Sequence, residues 1–257
     1  MRKTEKSYWD QGYGRRRSVI PVSLSPALSR IDSRFAHIFQ DLRLEGKKVL
    51  EIGGGGSAWL ARLTLDHSNT SFTCLDYAPQ GCALMRSFIE ETGVSNLKIA
   101  QADMFDGPSP DARYDIVYSL GVVEHFDQLE NALKAKAKFL APTGKMLTVI
   151  PNMSGSIGFL TKHLNRSIYE IHIPHDLISF RNGHEVAGLK IEESGYLGSS
   201  EFGVLSSCFD KPEGLGYYIY LWLSRLTKVL SKFENKFFEL PTSKTFSPYI
   251  YVISSIR

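Results

Sequence analysis

Cysteines are few and long apolar runs are missing, and both absences narrow the class of protein. Cys74, Cys82 and Cys208 are the only cysteines among 257 residues. They are too few for a disulfide framework, so we expect a reducing, cytoplasmic compartment. None lies in a Cys-x-x-Cys pair, which argues against a structural zinc site. No stretch of about 18 apolar residues occurs, which predicts that no segment spans a membrane.

The N-terminus and the charge exclude further classes. The opening residues, MRKTEKSYWDQGYGRRR, contain no apolar core, so we expect no secretory signal. A formal net charge of +3 is too small to indicate a nucleic-acid partner. With 43% hydrophobic and 22% charged residues, the composition is that of an ordinary globular protein. The length fits one large domain, or one domain with additions.

Short apolar runs alternate with helical patterns through the first part of the chain. The predicted strands are 47–52, 71–76, 97–103, 114–120 and 145–152, and the predicted helices are 57–67, 79–93 and 131–144. Such alternation is typical of βαβ units, which build a parallel sheet covered by helices on both faces. Further along, the predicted elements are a helix at 175–188, a strand at 189–198, a helix at 216–241 and a strand at 247–256.

A glycine-rich segment, EIGGGGSAWL, joins the first predicted strand to the first predicted helix. Glycines there let a ligand approach the main chain, and the helix N-terminus offers unpaired N–H groups. Gly53, Gly55 and Ala58 fit the dinucleotide pattern Gly-x-Gly-x-x-Ala, and Asp76 lies near the distance expected of a ribose-binding acid. The segment indicates an adenosine-containing cofactor and by itself leaves NAD open. A tight turn without a ligand is the remaining interpretation.

The segments that follow the glycines indicate which adenosine-containing cofactor is expected. Asp76 stands in CLDYAP, Asp103 stands in QADMF, and YSLGVVEHF ends the fourth predicted strand. LAPTGKMLTVIPN closes the set, although residues 141–144 depart from the commoner Lys-Pro-Gly-Gly. With Glu51-x-Gly53-x-Gly55 ahead of them, these motifs resemble those of the class I S-adenosylmethionine-dependent methyltransferases, in particular the small-molecule branch of methyltransferase types 11 and 12. The resemblance covers about residues 45–155.

The resemblance implies an α/β fold with a Rossmann-like, mostly parallel seven-stranded sheet. Helices are expected on both faces, and the C-terminal strand is expected to run antiparallel. The predicted organisation is an N-terminal lid or helical cap over residues 1–40, followed by the methyltransferase domain over 41–257. Substrate-facing insertions are expected at about 153–175 and 210–243.

The resemblance also implies S-adenosylmethionine as the cofactor, with S-adenosylhomocysteine as its product. Glu51 and the loop N–H groups are expected to hold the methionine part, Asp76 the ribose hydroxyls, and Asp103 the adenine amino group. The full set of residues predicted to bind the cofactor is Glu51, Gly53, Gly54, Gly55, Ser57, Asp76, Tyr77, Asp103, Met104, Ser119, Leu120 and Gly121.

Three histidines are the candidates for catalysis. A base is needed only where the acceptor must lose a proton, and His125, His172 and His175 are the predicted choices. The alternative for His125 is that it packs the cofactor pocket or starts a helix beside Glu124. His172 and His175 form a His-x-x-His pair, but no clear carboxylate partner accompanies them, so we predict no metal.

The two ends of the chain are interpreted as covers for the site. SYWDQGYGRRR resembles a lid, with Tyr8, Trp9 and Tyr13 over the pocket and Asn152 on the substrate side; a frayed basic tail is the alternative. The helix at 216–241 has an apolar stripe and a basic one. It is predicted to pack on the core or on a partner subunit, and a peripheral contact with a membrane is left open. We expect a monomer or a homodimer.

The predicted reaction is methyl transfer to an oxygen, less often a nitrogen, of a small-molecule acceptor. A sugar or a natural-product intermediate is the expected acceptor. The alternatives are an NAD-dependent oxidoreductase, methylation of a lipid-linked substrate at a membrane surface, and a cofactor-binding subunit without catalysis.

Overall fold

A single sheet of seven strands organises the protein, in a computed structural model that describes residues 2–23, 30–109, 112–209 and 211–257. Residues 1 and 24–29, within the predicted cap, and residue 210, at the start of the second predicted insertion, lie outside the described residues. The strands are β1 (Lys48–Ile52), β2 (Ser71–Asp76), β3 (Leu97–Gln101), β4 (Tyr114–Leu120), β5 (Leu140–Pro151), β6 (Leu189–Leu197) and β7 (Tyr249–Ile256).

The order of the strands confirms the predicted fold class. It runs β3-β2-β1-β4-β5-β7-β6, and only the last strand of the chain, β7, lies antiparallel to its neighbours. The sheet is therefore mostly parallel with an antiparallel C-terminal strand. The carboxyl ends of β1, β2 and β4 meet at one edge, which is where a parallel sheet places its ligands.

Helices cover both faces of the sheet. They are α1 (Lys6–Gly14), α2 (Arg30–Asp41), α3 (Ala58–Asp66), α4 (Pro79–Thr92), α5 (Leu129–Ala137), α6 (Ser156–Leu164), α7 (Arg166–Glu170), α8 (Leu177–Val186) and α9 (Leu215–Lys236). Successive strand residues face opposite ways, so Val49 packs with α2, α3 and α4, while Leu50 packs with α5 and α8. Phe35 and Phe39 of α2, a helix within the predicted cap, are buried in the first of these cores.

Local sequence explains several helix ends. Pro79 begins α4, where a missing N–H costs nothing, and Gly93 ends it with a φ of +69°. The Oγ of Ser57 caps α3 by accepting from the N–H of Leu60 at 3.1 Å. The predicted boundaries of these two helices are therefore confirmed to within one or two residues.

The predicted helix at 131–144 is wrong in its second half. Helix α5 ends at Ala137, and β5 already begins at Leu140. The pairing of β5 with β4 shifts register between Tyr114 and Ile116, so residues 141–144 form an irregularity within the strand pair. Pro142 and Gly144 lie in that irregularity, where a missing N–H is tolerated. They interrupt a strand, and they do not stop a helix.

The segments that flank β6 form a third apolar cluster beside the sheet. Met153 and Ile157 at the start of α6 pack with Leu205 and with Leu223 and Leu226 of α9. The two regions that the sequence analysis predicted as insertions therefore meet each other and share a small core. This cluster fixes α9 on the body of the protein through the middle of its length.

One face of α9 carries exposed apolar side chains. Tyr218, Trp222 and Val229 are 64%, 63% and 62% exposed. Phe233 and Phe237, within the predicted helix at 216–241, are exposed as well. The helix ends at Lys236, short of the predicted boundary, so Phe237 lies just beyond it. No helix among the described residues combines the length and apolarity needed to cross a bilayer. The peripheral membrane contact stays a prediction.

Glu201, a few residues after β6, is buried near charged residues of α2 and α9, and its ionisation makes the stability of the protein depend on pH. Burial and the negative charges of Glu234 and Asp32 raise the pKa of Glu201 to about 7, whereas Arg34 lowers it. The folded protein therefore holds this proton more tightly than the unfolded chain, and it loses stability as the pH rises through 7. We expect Glu201→Gln to raise the free energy of unfolding by about 2 to 3 kcal/mol at pH 8.5 and to change little at pH 4.5.

Urea denaturation followed by circular dichroism at both pH values measures this effect. Glu185→Gln, at an exposed site on α8, is the matched control. An equal effect of Glu201→Gln at the two pH values would show that Glu201 ionises normally.

Candidate active site

The glycine-rich loop between β1 and α3 closes tightly onto the end of β2. The N–H of Gly53 donates to the carbonyl oxygen of Leu75 at 2.8 Å, and that of Gly55 donates to Oδ2 of Asp76 at 2.8 Å. A Cβ atom on Gly55 would lie 2.5 Å from the same Oδ2. Gly53 has a φ of +75°. Gly55 is needed for the close approach and Gly53 for the backbone angle. The N–H of Gly54 also points to the carbonyl of Leu75, at 3.4 Å.

Asp76 ends β2 with a buried carboxylate beneath this loop. Its Oδ1 accepts from the N–H of Ala78 at 2.8 Å, and the hydroxyl of Tyr13 lies 3.4 Å from Oδ2 as a donor. Burial raises the pKa of Asp76, while the N–H groups of Ala78 and Gly55 lower it. The carboxylate is held in place from two backbone segments and keeps acceptor capacity for a further donor.

Glu51 lies in β1 with its carboxyl group buried under the loop. It is 2% exposed, and the hydroxyl of Tyr118 donates to Oε2 at 2.8 Å. Burial raises the pKa of Glu51 to about 8, although the hydroxyls of Tyr118 and Ser57 lower it. A cation brought close to Glu51 would favour the ionised form. The group can therefore neutralise a positive charge that enters from above.

A cleft opens over the carboxyl ends of β1, β2 and β4. It encloses about 630 Å³, open solvent at its mouth included. The predicted residues that line it are Trp9, Tyr13, Gly53, Asp76, Tyr77, Asp103, Met104, Leu120, Gly121 and His125. The lining residues that were not predicted are Arg2, Thr4, Ile52, Leu75, Ala102, Val122 and Phe126. Ile52 and Leu75 sit at or next to strand ends, a position that could have identified them.

The predicted cofactor and substrate residues that do not line this cleft include Glu51, Gly54, Gly55, Ser57, Ser119 and Asn152. Two of them make buried bonds between elements of the fold. The hydroxyl of Ser119 accepts from Nζ of Lys136 at 2.6 Å. The amide of Asn152 donates to the carbonyl oxygens of Lys244 and Ser247, both at 2.8 Å. Ser119 thus joins β4 to α5, and Asn152 joins the end of β5 to the segment before β7.

Residues 2–14 lie across the mouth of the cleft. The N–H of Lys3 donates to the carbonyl oxygen of His125 at 2.7 Å. Nη2 of Arg2 lies 2.6 Å from Oδ2 of Asp103, and its guanidinium group stacks 4.5 Å from the ring centre of Tyr77. A second ring, Phe126, lies 5.2 Å from the same group. Arg2 therefore engages the acid that the resemblance assigns to the adenine amino group.

Aromatic side chains of α1 complete the cover. Nε1 of Trp9 donates to the hydroxyl of Thr4 at 3.0 Å, and its ring lies edge-on to His125 with 5.3 Å between centres. Tyr13 lies 6.4 Å from Trp9, whereas Tyr8 packs on the outer side and is 39% exposed. Trp9 and Tyr13 line the cleft, and Tyr8 does not.

The structure brings two of the three candidate histidines together. The rings of His125 and His172 lie 4.6 Å apart. Each uses Nδ1 toward a carbonyl oxygen, at 2.8 Å from Ile171 for His125 and 2.6 Å from Ile168 for His172. Burial lowers the pKa of His125 to about 3 and lowers that of His172. His175 lies next to Phe180 with its Nε2 buried, and it does not line the cleft.

A buried carboxyl, that of Glu124, lies 4.0 Å from His125, and the buried amine of Lys136 acts on this carboxyl through its charge. Both oxygens of Glu124 are buried and accept no hydrogen bond from another described residue. Burial raises the pKa of Glu124 to about 8, and the charge of Lys136 lowers it. Lys136 is itself fully buried, so its pKa lies well below the ordinary range. The sequence analysis did not identify Lys136.

This arrangement defines a class of protein. A seven-stranded sheet with β7 antiparallel, a glycine loop after β1 and an acid at the end of β2 form the Rossmann-like fold of class I methyltransferases. Residues 49–144 match the family described as "Methyltransferase domain". Residues 49–144 therefore form a methyltransferase domain, and the S-adenosylmethionine-dependent type that the sequence predicted is confirmed for this part of the chain.

Curated relatives match part of the chain. A fatty-acid O-methyltransferase of Mycolicibacterium smegmatis is 30% identical over 132 residues, which is 50% of this chain and 46% of the relative. A ubiquinone biosynthesis O-methyltransferase of Azorhizobium caulinodans is 29% identical over 134 residues, 51% of each chain. The chain thus spans about half the length of the curated relatives it matches. Neither relative supports the NAD-dependent alternative.

Solved structures agree in fold. A SAM-dependent methyltransferase of Thiobacillus denitrificans in complex with S-adenosylhomocysteine has a TM-score of 0.57 at 15% identity, covering 97% of this chain and 98% of its own. A coclaurine N-methyltransferase has a TM-score of 0.58 at 11% identity, covering 93% of this chain and 77% of its own. At these identities the likeness establishes the fold alone.

The position of Arg2 generates a prediction about cofactor affinity. Since Arg2 holds Asp103 and stacks on Tyr77, it competes with an adenine for the same acid and ring. We expect Arg2→Ala to lower the dissociation constant of S-adenosylhomocysteine about 3- to 10-fold, roughly 1 kcal/mol, in isothermal titration calorimetry.

Lys6→Ala, at an exposed position of α1, is the control for loss of a positive charge near the site. Weaker binding by Arg2→Ala would show instead that Arg2 contacts the bound cofactor.

Proposed function

We propose that this protein transfers the methyl group of S-adenosylmethionine to an oxygen atom of a small-molecule acceptor. The observation that carries the proposal is the cleft itself. Asp76 and Asp103 stand at or just beyond the ends of neighbouring strands, the glycine loop lies beside them, and His125 stands on the wall beneath the N-terminal cover. This set lies in a domain of the methyltransferase family.

The donor set fits the cofactor chemically. Asp76 offers a buried carboxylate to ribose hydroxyls, and the backbone at Gly53 is bare enough for a ligand to lie against it. Asp103 offers an acceptor to an adenine amino group once Arg2 has moved, and Glu51 can balance an ammonium charge. When bound, the cofactor supplies an electrophilic methyl group on a sulfonium sulfur.

The residues of the chain contribute mainly alignment and exclusion of water. The displacement needs the acceptor oxygen in line with the breaking S–CH₃ bond. The O–CH₃ bond forms as the sulfur becomes a neutral thioether, and the acceptor loses its O–H proton. The N-terminal cover of Trp9 and Tyr13 shields the cleft, and the imidazole of His125, which lines it, offers a hydrogen-bond acceptor that can orient a hydroxyl group.

Two observations support oxygen as the acceptor atom. Both curated relatives are named as O-methyltransferases. The walls of the cleft include Ile52, Leu75, Val122 and Phe126, which suit an apolar skeleton that presents one hydroxyl or carboxyl group. We infer a natural-product-like acceptor of this kind, with a sugar hydroxyl as the second candidate.

Cofactor binding is the first test. We expect S-adenosylmethionine and S-adenosylhomocysteine to bind the purified protein in calorimetry, and NAD not to bind. Asp76→Asn should weaken S-adenosylhomocysteine at least about 10-fold, because it loses charge-assisted hydrogen bonds to the ribose. Asp66→Asn, in an exposed ion pair on α3, is the matched control. Failure of the unaltered protein to bind either ligand would overturn the proposed function.

The acceptor atom is tested by product formation. We expect release of S-adenosylhomocysteine with hydroxyl or carboxyl acceptors, drawn from fatty acids, phenols and sugars, and mass spectrometry should place the methyl group on oxygen. Matched amines serve as controls. Turnover confined to the amines would sink the assignment to oxygen and leave the cofactor assignment standing.

A further inference from the structure

Three side chains, one of which lines the cleft, form a cluster with the donor set of a metal site. Glu124 and His125 follow β4, and His172 follows α7. One potential ligand atom from each lies within 4.8 Å of the other two. Nε2 of His125 and Oε1 of Glu124 are 4.0 Å apart. Atoms at this spacing can reach a common ion with small side-chain movements.

The two imidazoles are oriented as metal ligands usually are. Carbonyl oxygens only accept hydrogen bonds, so the Nδ1 atoms facing Ile171 and Ile168 must carry the protons. Each ring therefore keeps the lone pair on Nε2. Metal-binding histidines commonly donate their other N–H to a carbonyl or carboxylate, which fixes the tautomer and the ring. Here two histidines from distant segments share that arrangement.

The carboxyl group of Glu124 is the unexplained member of the cluster. Both of its oxygens are buried and accept no hydrogen bond from another described residue. Leaving a buried polar group without a hydrogen-bond partner is unfavourable, because the group has lost its contacts with water. The charge of Lys136 attracts the Glu124 carboxylate. Its Nζ, however, donates hydrogen bonds to Ser119, Thr148 and the carbonyl oxygen of Leu147, and none to Glu124. A positive ion between Glu124 and the histidines would satisfy it.

We propose that Glu124, His125 and His172 bind one divalent transition-metal ion beside the cleft, behind the part of its wall that His125 forms. Two imidazole nitrogens and one carboxylate oxygen suit Zn²⁺, Mn²⁺ or Fe²⁺, and three protein ligands leave further positions open. His125 also lines the cleft, so the ion would lie next to the space that the acceptor is proposed to occupy. The sequence analysis paired His172 with His175 and found no carboxylate; the fold supplies Glu124 and pairs His172 with His125.

The ion has a role in the proposed reaction, and this part of the inference rests on the proposed function. An acceptor hydroxyl that takes an open position becomes a ligand, and its pKa falls. Its proton then leaves to solvent, and the oxygen forms the new bond to the methyl group as the bond to sulfur breaks. The metal keeps its oxidation state throughout.

Zinc binding to the whole protein tests the site directly. After treatment with a chelator and its removal, ZnSO₄ is titrated into the protein by calorimetry. We expect one ion per chain, and we expect His172→Ala and Glu124→Gln each to weaken binding at least about 100-fold. His163→Ala, at an exposed histidine on α6, is the matched control and should bind as the unaltered protein does. Circular dichroism checks that each variant is folded.

A measurement on the unaltered protein covers the case in which a variant fails to fold. X-ray absorption of the zinc-loaded protein should show nitrogen and oxygen ligands at about 2.0 to 2.2 Å. A first shell that contains sulfur would overturn the site, as would an absence of binding, or binding that survives either replacement. Titration with S-adenosylhomocysteine runs in parallel: its failure rejects the proposed function, and the zinc result stands or falls separately.

Discussion

The contact between the Gly55 amide and the Asp76 carboxylate is the constraint on which the site depends. It pins the glycine loop to the end of β2 at a distance that leaves no room for a side chain. The same carboxylate accepts from the N–H of Ala78, just before α4. One acid therefore fixes the relative position of two strand ends and of the helix starts beyond them. Both hydrogen bonds are buried, where water does not compete for the carboxylate.

Much of the fold could be predicted because its signals are local. The strands β1, β2 and β4 appear as short apolar runs, and Pro79 with Gly93 marks α4 at both ends. The irregularity in β5 could not be predicted, because Pro142 and Gly144 stop a helix or interrupt a strand equally well. The pairing of β5 with β4 makes these residues an interruption of a strand, and the sequence of residues 140–144 does not by itself indicate that pairing.

The candidate site also contains residues that local sequence predicts and residues that only long-range contacts bring together. Asp76 and the glycines were identifiable, since each follows its own strand. The approach of Arg2 to Asp103 joins positions 101 residues apart and left no signal in either segment. His172 reaches His125 because the N–H of Ile173 bonds the carbonyl of Glu124, another long-range contact. Spacing along the chain favoured the pair His172 and His175, whereas the tertiary structure brings His172 next to His125.

Lys136 shows what a sequence pattern can still reveal. It follows Leu129, Ala132 and Leu133 at helical spacing, which places it on the buried face of α5. There its ammonium group bonds the hydroxyls and carbonyl of β4 and β5 and has no exposed surface. Reagents that acylate amines can reach it only in molecules whose sheet has come apart from α5. The rate at which Lys136 is modified therefore measures how often the core opens locally in the folded protein.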